Sequence, residues 1–286
     1  MNIIDNVEIT FSEIKNIINN KKQFLIGRMP GIEAENLRPW FQNGNNVNFI
    51  DSSLRHLLEQ NTGFYSDEEN YNDVLDCWCK LTLDGLINCD LLFRLETSYA
   101  SKNDFMISDF YNAIHVWSAV NLHQWIPLLK NKKILVISSF EDSIKMQWKH
   151  RKKLFLSGHT PFEFPDFELK TIKSHNTIKD NEPYPHKNWK ESFESMCSEI
   201  DNIDFDIAIL GCGGYGMPLA NYIKNIGKGS FYVGSYVQIM FGIKGKRWYN
   251  QQGTDICSYW NDFWKSPEKH EIPKTFKNVE QGAYWL

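Results

Sequence analysis

The chain alternates short apolar runs with longer segments whose apolar residues recur every three or four positions. Runs at residues 23–28, 133–138 and 205–210 are rich in Ile, Leu, Val and Phe, as expected for strands buried on both faces. Residues 71–86 and 189–200 instead have the spacing of helices with one apolar face. Strands that alternate with helices predict an α/β fold with a doubly wound, largely parallel sheet and flanking helices.

The same two periodicities predict the remaining elements. Further strands are expected at 89–96 and 230–235, and further helices at 11–20, 33–40, 109–122 and 142–155. The polar stretch at 161–185 contains several prolines and is predicted to be a surface loop. No internal repeat divides the chain, so we expect a single Rossmann-like domain over residues 1–286.

Three turns are expected to follow strands at one edge of this sheet, at residues 28–33, 138–143 and 211–216. The carboxyl ends of parallel strands lie at a common edge, and ligands of such folds bind there. We therefore expect residues that are distant in the sequence to line one site.

The turn at 211–216, Gly-Cys-Gly-Gly-Tyr-Gly, satisfies the dinucleotide-binding pattern G-x-G-x-x-G between a strand and a helix. Free amides at the start of that helix would favour a phosphate. A nicotinamide enzyme would end the next strand with a carboxylate that holds ribose, but residues 230–235 contain no acid. Two interpretations stay open: an anion site, or glycines that only permit a tight turn and close packing.

Positive charge is concentrated next to this turn. Residues 207–254 contain no Asp or Glu and five cations, whereas the whole chain has a net charge of −4. Lys244, Lys246 and Arg247 lie on a glycine-containing loop, and the adjacent Trp248 could stack on a base or a sugar. Such segregation indicates a local phosphate site and argues against a general nucleic-acid binder.

Other charged and polar residues allow a plain structural interpretation as well. The basic run from Lys145 to Lys153 is better explained as a solvated helix face. Ser138 and Ser143 lie at a helix entrance, where they could cap amides or bind a donor phosphate. Arg28 and Glu33 flank a Pro-Gly turn and, from chemistry alone, favour an ion pair. The eight histidines have no metal-binding spacing, and His115 is expected to pack within the helix predicted at 109–122.

Composition places the chain among ordinary globular proteins, with 42% hydrophobic and 23% charged residues. The six cysteines have neither redox nor zinc spacing, which favours reduced thiols. We find no signal peptide and no apolar run of membrane-spanning length, so we expect a cytoplasmic protein, with peripheral attachment to a membrane left open.

Four blocks of the chain carry a family resemblance: GRMPGIE (27–33), KKILVISSFEDSIKMQW (132–148), the stretch from DIAILGCGGYG to FGIKGKRW (206–248), and VEQGAYW (279–285). In these blocks the chain resembles the GT-D-type glycosyltransferases of surface-glycan biosynthesis, over nearly its whole length. The resemblance implies a Rossmann-like domain that transfers a sugar from a nucleoside diphosphate donor to a glycan or glycoconjugate acceptor, with no nucleic-acid partner.

The family is associated with an Arg-x-Gly-Asp-Gly-Glu motif, whose Asp-x-Glu pair supports metal and donor binding. Here Glu33 matches, but Gly31 occupies the aspartate position. One acid alone is a poor divalent site, so we assign no metal ligand and doubt a requirement for Mn or Mg. Without a metal, Glu33 could be the base that accepts the proton of the acceptor hydroxyl.

The sequence therefore predicts an inverting, metal-independent glycosyltransferase with Glu33 as the catalytic residue. A non-catalytic nucleotide- or glycan-binding module and a Rossmann-type oxidoreductase or methyltransferase are the alternatives. The residues predicted to bind the donor or its phosphates are Arg28, Gly31, Ser138, Ser143, Gly213, Gly214, Tyr215, Gly216, Lys244, Lys246 and Arg247.

Overall fold

The computed structural model describes residues 2–94, 113–116, 121–250 and 256–285. Within these ranges one sheet of eight strands runs in the order β1-β4-β3-β2-β8-β7-β5-β6, and every neighbouring pair is parallel. The strands are β1 (Asn2–Ile4), β2 (Phe24–Arg28), β3 (Leu91–Arg94), β4 (Ala113–Val116), β5 (Lys133–Ser138), β6 (Glu168–Lys173), β7 (Ile207–Gly211) and β8 (Gly229–Tyr232). The predicted α/β class with a parallel sheet is confirmed.

Helices flank this sheet and precede or follow most of its strands. They are α1 (Val7–Asn20), α2 (Gly31–Gln42), α3 (Ser52–Thr62), α4 (Tyr71–Asn88), α5 (Leu122–Trp125), α6 (Glu141–Trp148), α7 (Trp189–Asp201), α8 (Gly216–Asn225), α9 (Tyr236–Met240) and α10 (Lys246–Asn250). Short 3₁₀ turns lie at Val47–Phe49, Ile126–Leu129, Arg151–Lys153, Gly213–Tyr215, Ile256–Tyr259, Lys269–Glu271 and Phe276–Asn278.

Local side-chain chemistry accounts for several helix ends. Asn6 accepts a hydrogen bond from the amide of Ile9 at 3.0 Å and so caps α1. Asp51 caps the start of α3 in the same way. Gly63 follows the last residue of α3 with a φ of 82°, a conformation that glycine adopts at little cost. Asn188 accepts from the amide of Glu191 at the start of α7.

The central strands are buried on both faces, because alternate residues enter two separate apolar clusters. In β5, Ile134 and Val136 pack into one cluster while Leu135 and Ile137 pack into the other. The first cluster joins the sheet to α1 and α5, and the second joins it to α4, α7 and α8. This two-sided burial explains why the central strands appear in the sequence as continuous apolar runs.

Two of the predicted elements are wrong. Residues 113–116 form β4, where a helix over 109–122 was expected; the apolar run is too short for its periodicity to distinguish strand from helix, and His115 lies on that strand. Much of the predicted 109–122 helix lies outside the described residues. The expected surface loop at 161–185 contains β6, an edge strand whose polar residues gave it the appearance of a loop.

The strand order brings the three predicted turns to neighbouring strand ends. β8 lies between β2 and β7, and β5 pairs with the other side of β7. The strands β2, β8, β7 and β5 are therefore consecutive neighbours. The turns that follow β2, β7 and β5 all lie at the carboxyl edge of this group.

Candidate active site at the carboxyl edge of the sheet

Arg28, the last residue of β2, lies against the loop that follows β8. Its Nη1 donates to the carbonyl of Val233 at 3.4 Å, and its guanidinium carbon is 6.0 Å from the centre of the Tyr236 ring. Gly234 has a φ of +65°, and a Cβ there would lie 2.9 Å from Nη1, so glycine is what permits this approach. The Nε of Arg28 is buried and has no hydrogen-bond partner among the residues that the structure describes. The guanidinium thus keeps donor capacity for an anion.

Glu33 lies in the first turn of α2 and is only 7% exposed. Burial raises the pKa of its carboxyl from 4.5 to about 7, although its own backbone amide and the positive charge of Arg28 act in the opposite direction. Desolvation dominates because the carboxylate is removed from water, and the charge of Arg28 offsets only part of this effect. A carboxyl with this pKa can exchange a proton near neutral pH.

Arg247 approaches the same loop after β8 from the C-terminal side. Its Nη1 donates to Ser235 Oγ at 3.3 Å, and its guanidinium carbon is 4.7 Å from the centre of the Tyr284 ring. The guanidinium also forms an ion pair with Glu280. Arg28 and Arg247 therefore both contact the loop formed by residues 233–236.

The rest of the basic loop does not gather at one point. Lys246 donates to the carbonyl of Gln281 at 3.3 Å, whereas Lys244 Nζ lies 5.3 Å from the centre of the Trp260 ring. Trp248 is 1% exposed and packs 5.3 Å from Tyr236, so it belongs to the core and cannot stack on a ligand as it stands. The sequence predicted a cluster of cations on this loop, but it did not predict that their side chains contact different parts of the structure.

The glycine turn after β7 is filled by the protein itself. Gly213 has a φ of +55°, and a Cβ there would lie 2.6 Å from the carbonyl oxygen of Thr62; a Cβ on Gly216 would overlap the ring of Tyr232. The indole of Trp78 donates to the carbonyl of Gly214 at 3.0 Å. Close packing thus accounts for these glycines, which supports the second interpretation of the motif.

Two amides of this turn and the hydroxyl of Tyr215 also have partners within the chain. The amide of Tyr215 bonds to the carbonyl of Cys212 at 3.2 Å, and that of Gly216 bonds to the carbonyl of Gly213. The Tyr215 hydroxyl lies 2.9 Å from Thr177 Oγ1. Phosphate binding by Gly213–Gly216 stays a prediction.

Ser138, the last residue of β5, and Ser143, in the first turn of α6, both form hydrogen bonds at the start of α6. Ser138 Oγ accepts from the amide of Phe140 at 3.2 Å. Glu271, 4% exposed, accepts from the amide of Asp142 at 2.8 Å and from the hydroxyl and amide of Ser143. This carboxylate takes the position that an anion would occupy at the helix start, so a phosphate would have to displace it to reach Ser143. Glu271 is 128 residues from Ser143 in the chain, so no local sequence pattern could have predicted this contact.

One group of residues in the described part of the chain has the composition of a metal site. Ligand atoms of Asp142, His270 and Glu271 lie within 4.8 Å of one another. Each already has a protein partner: His270 Nε2 is 2.8 Å from Asp142 Oδ2, and Glu271 caps α6. The arrangement is accounted for by an ion pair and a helix cap.

The residues at the turn after β2 do not fit the metal of the GT-D motif. Gly31, the first residue of α2, brings no ligand atom. Glu33 would offer a single carboxylate whose raised pKa reflects burial, with the positive charge of Arg28 close by. A divalent cation prefers several oxygen ligands, so no step is assigned to a metal here.

Comparison with known proteins finds one loosely similar solved structure and no matching family. No family model and no curated protein sequence matches the chain. Among solved structures, a glycosyltransferase (DUF1792) from Streptococcus sanguinis matches with a TM-score of 0.41 and 10% identity, over 95% of this chain and 96% of that chain. A likeness this loose carries no argument about activity. None of the helices in the described ranges is both long and apolar enough to span a bilayer.

Proposed function

We propose that this protein is a glycosyltransferase that moves a sugar from a nucleoside diphosphate donor to a hydroxyl of a glycan acceptor. One observation carries the proposal: a buried carboxyl, Glu33, with a pKa of about 7 lies close to Arg28, whose Nε has no hydrogen-bond partner in the described part of the chain. Groups that can accept a proton near neutral pH, placed at the carboxyl edge of a parallel sheet, are candidates for general-base catalysis.

The proposed reaction is a direct displacement. The acceptor oxygen attacks the anomeric carbon, the bond from that carbon to the diphosphate oxygen breaks, and the proton of the acceptor hydroxyl passes to Glu33. The configuration of the anomeric carbon inverts. Because the leaving diphosphate gains negative charge, cations must stabilise it, and Arg28, Arg247 and Lys246 are the residues we assign to this role.

The remaining donor residues stay predictions with less support. Lys244 lies over Trp260, Ser143 is engaged by Glu271, and Gly213 to Gly216 pack against Thr62 and Tyr232. The same packing weighs against an oxidoreductase or methyltransferase, since such an enzyme would need the glycine turn to admit its cofactor. Among the charged groups at this edge, Glu33 and Arg28 have the strongest claim to contact substrate.

The test is a screen of nucleoside-diphosphate sugars for release of the nucleoside diphosphate, with and without glycan acceptors. We expect turnover by the wild-type protein, no loss of turnover on chelation of divalent cations, and a decrease in kcat of about 10²- to 10⁴-fold in Glu33→Gln. Glu35→Gln, on the same helix, is the matched control and should keep its rate.

Three outcomes would contradict the proposal or part of it. Nucleoside diphosphate binding without any turnover would indicate a binding module. Thermal stabilisation only by nicotinamide or methyl-donor cofactors would indicate the other enzyme class. Strict dependence on Mn or Mg would refute metal independence alone.

A further inference from the structure

The C-terminal turn at residues 279–285 contacts the cations of the basic loop. The carbonyl of Gln281 accepts from Lys246 Nζ at 3.3 Å, and the carbonyl of Ala283 accepts from the amide of Arg247 at 2.7 Å. The carboxylate of Glu280 pairs with the guanidinium of Arg247. In the protein without ligand, this turn therefore supplies contacts to both the side chain and the backbone of Arg247.

The backbone of the turn is held in an unusual conformation. Glu280, Gln281 and Gly282 have φ angles of 45°, 59° and 79°, in the left-handed region that side-chain-bearing residues avoid. Burial of Val279 and Trp285 fixes the turn, and each of them is at most 6% exposed. Strained backbone that is kept in place by its surroundings is common at functional sites, and here its effect is to present Glu280 to Arg247.

The ion pair itself is partly open to solvent. The Arg247 side chain is 26% exposed and that of Glu280 is 38% exposed. Pairs of this kind contribute little free energy, because water and ions compete for both partners. The backbone of the turn is fixed, whereas the Glu280 side chain can rotate away without disturbing the buried residues on either side of it.

A diphosphate could replace the carboxylate of Glu280 as the partner of Arg247, because the loss of the ion pair would be offset by new hydrogen bonds. Arg247 donates to Ser235, and Arg28 packs against the neighbouring Gly234. A diphosphate has several charged oxygens and could accept from both guanidiniums, whereas the carboxylate of Glu280 is paired with Arg247. If Glu280 stayed in place, its negative charge would instead repel the diphosphate.

We propose that Glu280 is part of the diphosphate site, as an internal competitor whose carboxylate holds Arg247 until the diphosphate of the donor displaces it. This inference rests on the proposed function for the identity of the anion. Its consequence is that removal of the charge on Glu280 strengthens binding of a diphosphate, which is the opposite of what loss of a structural ion pair would do.

The experiment measures the Kd of inorganic pyrophosphate by calorimetry for the wild type, Glu280→Gln and Glu280→Asp. We expect Glu280→Gln to bind about 3- to 5-fold more tightly and Glu280→Asp to resemble the wild type, in line with the strength of an exposed ion pair. Glu163→Gln removes the same charge from an exposed pair with Lys152 and is the matched control, with no change expected.

A second measurement separates competition for Arg247 from a general change of charge. In an Arg247→Ala background, Glu280→Gln should no longer affect the Kd, because the two residues act through one contact. Equal or weaker pyrophosphate binding by Glu280→Gln, persistence of the gain without Arg247, or failure of every variant to bind pyrophosphate would each overturn the inference. Thermal melting of each variant verifies that it is folded.

The outcomes also separate this inference from the proposed function. Sugar transfer by the wild type, together with an unchanged Kd in Glu280→Gln, overturns only the role of Glu280. Tighter pyrophosphate binding by Glu280→Gln in a protein that transfers no sugar supports the internal competitor and overturns only the glycosyltransferase proposal.

Discussion

The turns that follow β2 and β7 flank the same central strand, β8, but differ in how their polar groups are satisfied. In the glycine turn after β7, the amides of Tyr215 and Gly216 bond to carbonyls of the same turn, and Thr62 and Tyr232 fill the space beside Gly213 and Gly216. In the turn after β2, the carboxyl of Glu33 is buried at the start of a helix, and the buried Nε of Arg28 has no hydrogen-bond partner within the described ranges.

The difference shows that close backbone approach and chemical reactivity are separate properties of a turn. A glycine has no side chain, so another group can approach its backbone closely. At Gly213 that group is the carbonyl of Thr62, and at Gly216 it is the ring of Tyr232. Burial of the Glu33 carboxyl, by contrast, costs stability when the group is ionised, and strongly perturbed carboxyls of this kind cluster at functional sites. We therefore place the proposed chemistry at the turn after β2 and interpret the turn after β7 as structural.

The largest effect is expected from the charge on Glu33. The pKa of this carboxyl is about 7 in the folded state against an ordinary 4.5, so the folded state binds more protons than the unfolded state between these values. Stability should therefore fall as pH rises from about 4.5 to about 7. Glu33→Gln should exceed the wild type in free energy of unfolding by about 3 kcal/mol at pH 8, with little difference at pH 4.5.

Urea denaturation at the two pH values measures this effect, with Glu35→Gln as the control. If Glu33→Gln is no more stable than the wild type at pH 8, the carboxyl is not held in a desolvated position, and the contrast between the two turns is lost.

Loss of Arg28 should weaken binding of uridine or guanosine diphosphate, whichever the protein binds, by about 10- to 100-fold, since hydrogen bonds to charged groups are worth about 1.5–3 kcal/mol. Calorimetry on Arg28→Ala measures the Kd. The control is Arg151→Ala, which removes a guanidinium paired with Asp166 in a different part of the structure. Equal affinities for Arg28→Ala and the wild type would remove Arg28 from the site.

A substitution in the glycine turn should lower the stability of the protein without changing its affinity for the nucleoside diphosphate. Gly216→Ala would force the Tyr232 ring to move and should lower the free energy of unfolding by about 1–3 kcal/mol. The folded fraction should bind the nucleoside diphosphate with unchanged Kd. Gly44→Ala is the contrasting variant: nothing lies within 4 Å of its added methyl, so any loss of stability there comes from its left-handed φ of +71°, a strain that Gly216 with its φ of −61° does not have. A large loss of affinity in Gly216→Ala would restore the turn as a ligand site.

The smallest effect is expected at the start of α6. Glu271→Gln keeps the shape of the cap but removes the charge that favours the helix amides, so stability should fall by about 1 kcal/mol. Thermal denaturation measures the change, and Glu268→Gln, three positions away, is the control. No change in Glu271→Gln would mean that the helix start does not depend on the carboxylate charge.

How far the sequence predicts the molecule depends on whether a feature is local. The apolar run at 133–138 matches β5, and the helix expected at 71–86 is α4, because period and burial suffice for such elements. Residues 113–116 and 168–173 were assigned wrongly, since a short run and a polar edge strand lack a clear period.

The candidate site is predicted only in part, for a physical reason. Arg28 and Glu33 stand out as residue types after a strand, but the burial that raises the pKa of Glu33 arises from the packing of the whole fold. Contacts of Glu271 with Ser143 and of Glu280 with Arg247 join residues far apart in the chain. Such pairings depend on tertiary structure and leave no local pattern.

The pH dependence of kcat/KM for sugar transfer shows whether Glu33, in the turn after β2, is the catalytic base. We expect the wild-type rate to rise with pH and level off above a pKa of about 7, because Glu33 must be ionised to accept the proton. Glu33→Gln should have a low rate without this rise, and Glu35→Gln should retain it. A wild-type rate that is flat between pH 5.5 and 8, or an identical rise in Glu33→Gln, would contradict the assignment of the chemistry to the turn after β2.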